Sequence, residues 1–498
     1  MKNHNFIVNQ IISNKKNKKI IVSDNKKKIS WADLYKISKL NYHNIKKNKS
    51  TIIPIISDRT VKTFISIISV IMSGKTFCPI SDKLPEFRIK YIMKKIGSDF
   101  LINNSNVKIS GVKNYKLKID VNLNLGKKYK EFFEHNTSNN RIVYVLFTSG
   151  STGEPKGVKL SYENLLNTII WSKRYLDWKK KDIIGVATNF SFDISMFDLL
   201  TCIYFKVQAH IFNNPENPIL TFKEINTHKI TSIFSVPAFF SNFVYYNLIS
   251  KKFSMLRRII SGGDFFPAKS ILAWKKYNEK IEIFNVWGPT ETSIVNTMHK
   301  INKRNLYDLT KGKSLPVGKS DKMMEVKIYT KKNFFTKPLT KGQICMFGKC
   351  VSEGYIGSKK NEKSYIYRNK IRGFLTGDIG YFDLNRRLHI IGRTDTTIKI
   401  SGYRVDLKEI ENITLESSLV IDCKAFVIKK KIFKILTLCI LSKKKMDKEN
   451  IKSYLKKKLP SYAIPKFIFF FKKFPTNKNS KIDINKLKKI SKKNILNL

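Results

Sequence analysis

The sequence predicts an α/β protein with largely parallel sheets, divided near residues 393–395 into a long first part and a shorter second. Three observations point there. Apolar, β-branched runs of strand length alternate with amphipathic helical patterns from the start to about residue 390, the order expected when helices cover a parallel sheet. The chain has 498 residues, 42% of them hydrophobic, enough for more than one domain with a sizeable core. After "GRTD" (392–395) the composition shifts to a shorter, lysine-richer α/β pattern ending in "NSKID" (479–483) and a basic tail.

Taken in order, "KISWADLYKISKL" (28–40) reads as a short strand leading into an amphipathic helix, and "TIIPIISD" (51–58) as a buried strand. "RTVKTFISIISVIMSG" is a helix that stops at Gly74. "RIVYVLF" (141–147) is a strand, so the loop that follows hangs from its carboxyl end, where α/β sheets commonly bind ligands. Ser161 fits the N-cap of a helix beginning "YENLLNTIIW".

Composition excludes some classes. No run reaches the roughly 18 apolar residues that a spanning helix needs; "FISIISVIM" (64–72) is too short. The N-terminus lacks the apolar stretch and small-residue cleavage site of an export signal, so a cytoplasmic location is expected. Six scattered cysteines, none in a C-x-x-C pair, predict neither a disulfide framework nor a zinc site. The formal charge of +58 is spread along the chain rather than gathered on one element. With Asn, Ile and Phe also abundant, it reads as the product of A/T-rich codons. It predicts salt-sensitive attraction to polyanions but no specific nucleic-acid site.

The chemistry begins at "LFTSGSTGEPKGVKL" (146–160). Small hydroxyl residues and glycines let the backbone approach phosphate oxygens and donate to them. The spacing is not that of a Walker loop, since Pro155 follows Gly150 by five and Gly157 follows Lys156. Further along, "NVWGPTETSI" (285–294) joins an aromatic that can stack on a base to Glu291, a hard oxygen ligand suited to Mg²⁺ on phosphates. "TGDIG" (376–380) sets Asp378 between glycines, where a carboxylate can hold ribose hydroxyls. "FSFDISMFD" (190–198) carries Asp193 in an apolar run, either as a ligand to a cation or as the cap of the following helix. "GRTDTTIKISGYRVDLKEIE" (392–411) offers Arg393 and Lys399, and Lys481 lies in the polar "TNKNSKID".

In this order and spacing these segments resemble the AMP-forming adenylate superfamily: acyl- and aryl-CoA ligases, luciferases, nonribosomal peptide synthetase adenylation domains and D-alanine–carrier protein ligases. "SWADL" (30–34), "MSGKTFCPI" (72–80), "KGQICMFGKCVSEGY" (341–355) and "LPSYAIP" (459–465) resemble its lesser motifs, so the likeness covers most of the chain. It implies a large N-terminal domain of layered α/β subdomains (1–393) and a small mobile C-terminal α/β domain (394–498) carrying the catalytic lysine.

The resemblance further implies ATP as a substrate and Mg²⁺ on Glu291. The β- and γ-phosphates would fall to Thr148, Ser149, Gly150, Ser151, Thr152, Gly153 and Lys156. Adenine would fall to Asn285, Val286, Trp287, Gly288, Pro289 and Thr290, and ribose to Asp378 and Arg393. Lys481 would bridge the acid's carboxylate and the α-phosphate. A swing about the hinge residue Asp395 would then bring Lys399 in for thioester formation. In the amino-acid-activating branch, an aspartate at the position of Asp193 binds the substrate α-ammonium, within a pocket of Ile194, Phe197, Ile260, Gly262, Val286, Ile294 and Val295. These are mostly apolar, which suits a small or medium neutral amino acid, D-alanine among the candidates.

The implied partner is a separate carrier protein with a phosphopantetheine thiol, CoA being the other thiol. The alternatives are a CoA ligase for an amine-free acid and a non-catalytic descendant that binds polyanions or proteins. Departures from the family pattern are Trp287 where tyrosine is more usual, Asp264 for glutamate, Thr397 for glutamine, and Ser480 for a glycine before Lys481.

Overall fold

The computed structural model describes residues 6–119, 142–148, 155–311, 315–321, 323–330, 333–357, 363–395, 397–417, 420–430, 433–442, 447–475 and 482–496. The chain divides into two compact units. One holds most residues up to Thr394; the other holds Lys83–Tyr91 and the residues from Asp395 onward.

In the first unit, a six-stranded sheet runs in spatial order Lys113–Tyr115, Phe100–Ile102, Ile52–Ser57, Thr76–Ser81, Ile142–Thr148 and Lys156–Ser161. Its pairs are parallel except the last, where the chain doubles back. The helix Val61–Met72, apolar almost all round, is buried along nearly its whole length. It ends just before Gly74, whose φ of 72° suits a residue without a Cβ. Trp31–Lys46 starts on a capping box in which Ser30 and Asp33 satisfy each other's backbone N–H groups. Ser161 caps Tyr162–Ser172 in the same reciprocal manner with Asn164.

An eight-stranded sheet runs Thr297–Lys300, Glu282–Trp287, Arg258–Ser261, Ser232–Ser235, Ile183–Val186, Gln208–Ile211, Ile20–Ser23 and Lys28–Ser30. Its six inner strands are parallel and its edge strands antiparallel. One apolar cluster joins residues of both sheets, among them Ile55, Phe77, Val143, Phe234 and Val286.

The third sheet corrects the expectation of largely parallel pairing up to residue 390. Asn333–Phe335, Met324–Thr330, Gly342–Gly348, Tyr365–Arg368, Ile371–Phe382 and Leu388–Arg393 pair antiparallel throughout. Parallel neighbours need a crossover of a dozen or more residues, usually helical. Connections such as 331–332 and 383–387 are too short for one, so the chain turns back on itself.

The second unit has a hairpin, Thr397–Ile400 with Tyr403–Asp406, turned through Ser401 and Gly402 at positive φ. Its three-stranded sheet runs Asp422–Lys430, Phe433–Leu441 and Phe467–Phe471. Helices Leu407–Leu415, Lys448–Lys458 and Ile484–Leu496 complete it around two apolar clusters of its own. All six cysteines are buried and free. Burial pushes their thiols above the ordinary value, Cys350 to about 12. Among the described residues no helix is long and apolar enough to cross a membrane.

Candidate active site

The carboxyl ends of the parallel strands gather most of the sequence-derived residues. Thr148 ends its strand directly opposite Lys156, the first residue of the antiparallel neighbour. Between them, Ser149, Gly150, Ser151, Thr152 and Gly153 lie outside the described residues, as does Lys481. Lys156 Nζ lies 5.6 Å from the centre of the Tyr355 ring, within cation–π range. The Tyr355 hydroxyl in turn donates to Glu291 Oε1 at 2.9 Å.

Tyr355 was not foreseen as a site residue, although its segment was noted. It reaches Glu291 across 64 residues through a lone bridge with Val158, and no local pattern announces that. Glu291 is buried. Among the described residues no group of three or more His, Cys, Asp or Glu is arranged to hold a metal. One buried carboxylate oxygen donor, steered by a phenol, fits Mg²⁺, which keeps several waters and binds through one or two carboxylates plus substrate phosphates.

The turn after strand Glu282–Trp287 links two further acids. Trp287 Nε1 donates to Asp378 Oδ2 at 2.9 Å, across 91 residues. Asp378 Oδ1 accepts from Arg393 Nη1 at 2.5 Å, the two residues facing each other in the antiparallel ladder. Asp378 is buried, so this pairing offsets the cost of taking a carboxylate out of water. Thr290 Oγ1 donates to Asp193 Oδ2 at 2.6 Å, across 97 residues.

Asp193 is the first residue of helix Asp193–Phe205, while Phe192 holds the N-cap position. The aspartate therefore sits inside the helix, one place beyond the position from which a cap acts, and turns a carboxylate oxygen to Thr290. Beside it, the buried Tyr144 hydroxyl has no hydrogen-bond partner among the described atoms. Burial, and then the Asp193 charge, push its pKa well above the ordinary tyrosine value. Asn285, sought for adenine, donates its amide to the Pro316 carbonyl at 2.9 Å.

The expected pocket residues are mostly buried and apolar. Ile194, Phe197, Ile260, Val286, Ile294 and Val295 share one apolar cluster with Trp287. A Cβ on Gly262 would lie 2.6 Å from Val286 Cγ2 and 2.9 Å from the Val286 carbonyl oxygen, so only glycine fits. At Gly263 a Cβ would stand 3.5 Å from Val236 and 3.9 Å from Ile194, which makes Val236 and Gly263 neighbours that sequence reading missed. Ser293 and Ile294 have φ of 66° and 76°. A β-branched residue in that region is strained, and such strain clusters at functional sites.

In the second unit, Asp395 Oδ1 accepts from the Thr397 N–H at 3.2 Å and its hydroxyl at 2.6 Å; Oδ2 lies 3.3 Å from Arg404 Nη2. Lys399 faces Arg404 in the hairpin, and its carbonyl accepts from Lys434 Nζ at 2.9 Å.

The chain is similar to several known proteins. D-alanine–D-alanyl carrier protein ligase of Bacillus licheniformis is 28% identical over 447 residues, covering 85% of this chain and 86% of that protein. Gramicidin S synthase 2 of Aneurinibacillus migulanus is 26% identical over 447 residues, 86% of this chain but 10% of the synthase. The chain spans a tenth or less of the length of gramicidin S synthase 2 and bacitracin synthase 3, and 42% of gramicidin S synthase 1. Among solved structures, the Vibrio cholerae adenylation domain AlmE in complex with glycyl-adenosine-5′-phosphate superposes with a TM-score of 0.82 at 18% identity, over 98% of this chain and 97% of that one. At that identity the likeness shows the fold, that of adenylate-forming enzymes. The AMP-binding enzyme family matches residues 10–356, most of the chain, and the chain belongs to that family.

Proposed function

We propose that this AMP-forming ligase activates the carboxylate of an amino acid as an aminoacyl-adenylate and passes it to the phosphopantetheine thiol of a separate carrier protein. The observation that carries the reading is the turn Trp287–Glu291. In five residues it reaches Asp378 through Trp287, reaches Asp193 through Thr290, and supplies the buried Glu291. A ribose anchor, an ammonium anchor and a metal ligand thereby share one support.

A carboxylate oxygen of the substrate attacks the α-phosphorus of ATP, the bond to the β-phosphate bridging oxygen breaks, and pyrophosphate leaves. Thr148, the hydroxyls and glycines through Gly153, and Lys156 hold the departing phosphates. Mg²⁺ on Glu291 would neutralise phosphate charge. Asp378 and Arg393 fix the ribose, while Asn285, Val286, Gly288 and Pro289 shape the adenine site beside Trp287. Lys481 sets positive charge between the two anions that must meet. Asp193 pairs with the α-ammonium, and the apolar wall of Ile194, Phe197, Ile260, Val286, Ile294 and Val295 favours a small or medium neutral side chain. D-alanine is one candidate, in keeping with the carrier protein ligase among the relatives.

In the second step the thiol sulfur attacks the acyl carbon, the bond to phosphate breaks, and AMP leaves. Lys399 serves this step, with Asp395 as pivot. Reliance on ATP supports a cytoplasmic setting.

The experiment is Asp193→Ala assayed with each substrate varied. The proposal expects the KM for the amino acid to rise roughly thirtyfold or more, as for loss of one partner of a buried charge pair worth about 2 kcal/mol or more, with the KM for ATP within about twofold. Equal effects on both substrates, or full activity on amine-free acids alone, would move the protein to the CoA-ligase branch.

A further inference from the structure

The Trp287 ring is only 5% exposed and belongs to the apolar cluster beneath the site. What it presents is its N–H, which ends on Asp378 Oδ2. From this geometry we infer that Trp287 is a positioning residue for the nucleotide's ribose, acting through Asp378. The inference rests on the proposed nucleotide site, and it gives that site a selectivity for the sugar.

Each oxygen of Asp378 has one fixed donor. Oδ1 takes Arg393 at 2.5 Å and Oδ2 takes Trp287 at 2.9 Å. The backbone is fixed too: Asp378 N–H donates to Thr376 Oγ1 at 3.1 Å, and Gly377 precedes it at a φ of 76°. A carboxylate has about four lone-pair directions. Two are used by protein donors, one on each oxygen, which restrains rotation about the Cβ–Cγ bond and leaves one on each oxygen to accept from a vicinal diol. The two ribose hydroxyls are such a diol. Without the indole N–H only Arg393 would hold the group, and the carboxylate would turn about that single contact. A phenylalanine keeps the apolar packing and removes the donor. A tyrosine carries its hydroxyl at the para end of the ring, away from the edge where the indole nitrogen sits.

The test is nucleotide binding by calorimetry, which does not depend on which acid is activated. ATP and 2′,3′-dideoxy-ATP are titrated into the wild-type chain and Trp287→Phe, with thermal melting to check the fold. Loss of a hydrogen bond to a charged group predicts that Trp287→Phe weakens ATP about tenfold and dideoxy-ATP less than about twofold, since the latter has no hydroxyls for Asp378 to hold. Equal weakening of both nucleotides, the signature of stacking or general damage, overturns the inference; so does no weakening of either. If Trp287→Phe does not fold, Trp287→Tyr takes its place with the same expectation. A wild-type chain that prefers ATP to the dideoxy form yet activates no amino acid would sink the proposed substrate and leave the ribose inference standing. One that activates an amino acid but binds both nucleotides equally would do the reverse.

Discussion

At the scale of single residues, the candidate site is a set of acids, each with a carboxylate oxygen held by a donor distant in the sequence. Asp193 shows how far the sequence alone can go. "FDIS" allowed an ammonium ligand or a helix cap; its place one residue inside the helix, with Phe192 at the cap position, removes the usual ground for the second. Thr290 completes the picture. Thr290→Val, which keeps the shape without the hydroxyl, should raise the KM for the amino acid several-fold, and Thr290→Ser should restore it. Indifference to Thr290→Val would mean that the hydroxyl does not orient Asp193. Tyr355 is the counterpart that the sequence hid, because an aromatic beside a glycine looks like packing until a strand bridge lays it on Glu291. Tyr355→Phe should raise the Mg²⁺ concentration needed for half-maximal activity about tenfold, the scale at which groups orienting a metal ligand act. An unchanged Mg²⁺ dependence would assign Tyr355 to packing alone.

At the scale of elements, strands with β-branched runs and capped helices were legible because their signals are local. The antiparallel sheet of residues 324–393 was not, since its strands resemble those of a parallel sheet and only the shortness of the connections distinguishes them. The turn after Glu282–Trp287 was recognised as a motif, but what it joins became apparent only from the fold. Its geometry depends on Gly288, where a Cβ would lie 2.5 Å from the Ile294 carbonyl oxygen and 2.8 Å from Asn296 Oδ1. One neighbour is the backbone of Ile294, itself at positive φ, and Asn296 is hydrogen-bonded to Thr292, so neither gives way cheaply. Gly288→Ala should therefore cost about 1–3 kcal/mol, the range for overpacking, and lower Tm by several degrees while reducing activity further than the stability loss explains. A variant with wild-type Tm and turnover would show the turn to be more pliable than its contacts indicate.

At the scale of the whole molecule, the proposed chemistry draws on residues of both units. Glu291, Asp193 and Asp378 belong to the first, and Lys399 to the second. Lys481, which the sequence singles out for the first step, lies beyond the described residues, so its role is argued from its motif alone. Lys481→Ala should abolish adenylate formation and leave thioester transfer from supplied adenylate largely intact; equal loss of both would contradict the division between the two lysines. The charge of +58 enters none of these steps and is expected to give polyanion binding that fades with salt. The central claim is activation of an amino acid as its adenylate, and its most direct test is substrate-dependent ATP–pyrophosphate exchange across D- and L-amino acids, aryl acids and fatty acids. The account predicts exchange with a small or medium neutral amino acid and none with amine-free acids. Exchange driven only by amine-free acids, or silence across the panel from a protein that binds ATP, would contradict it.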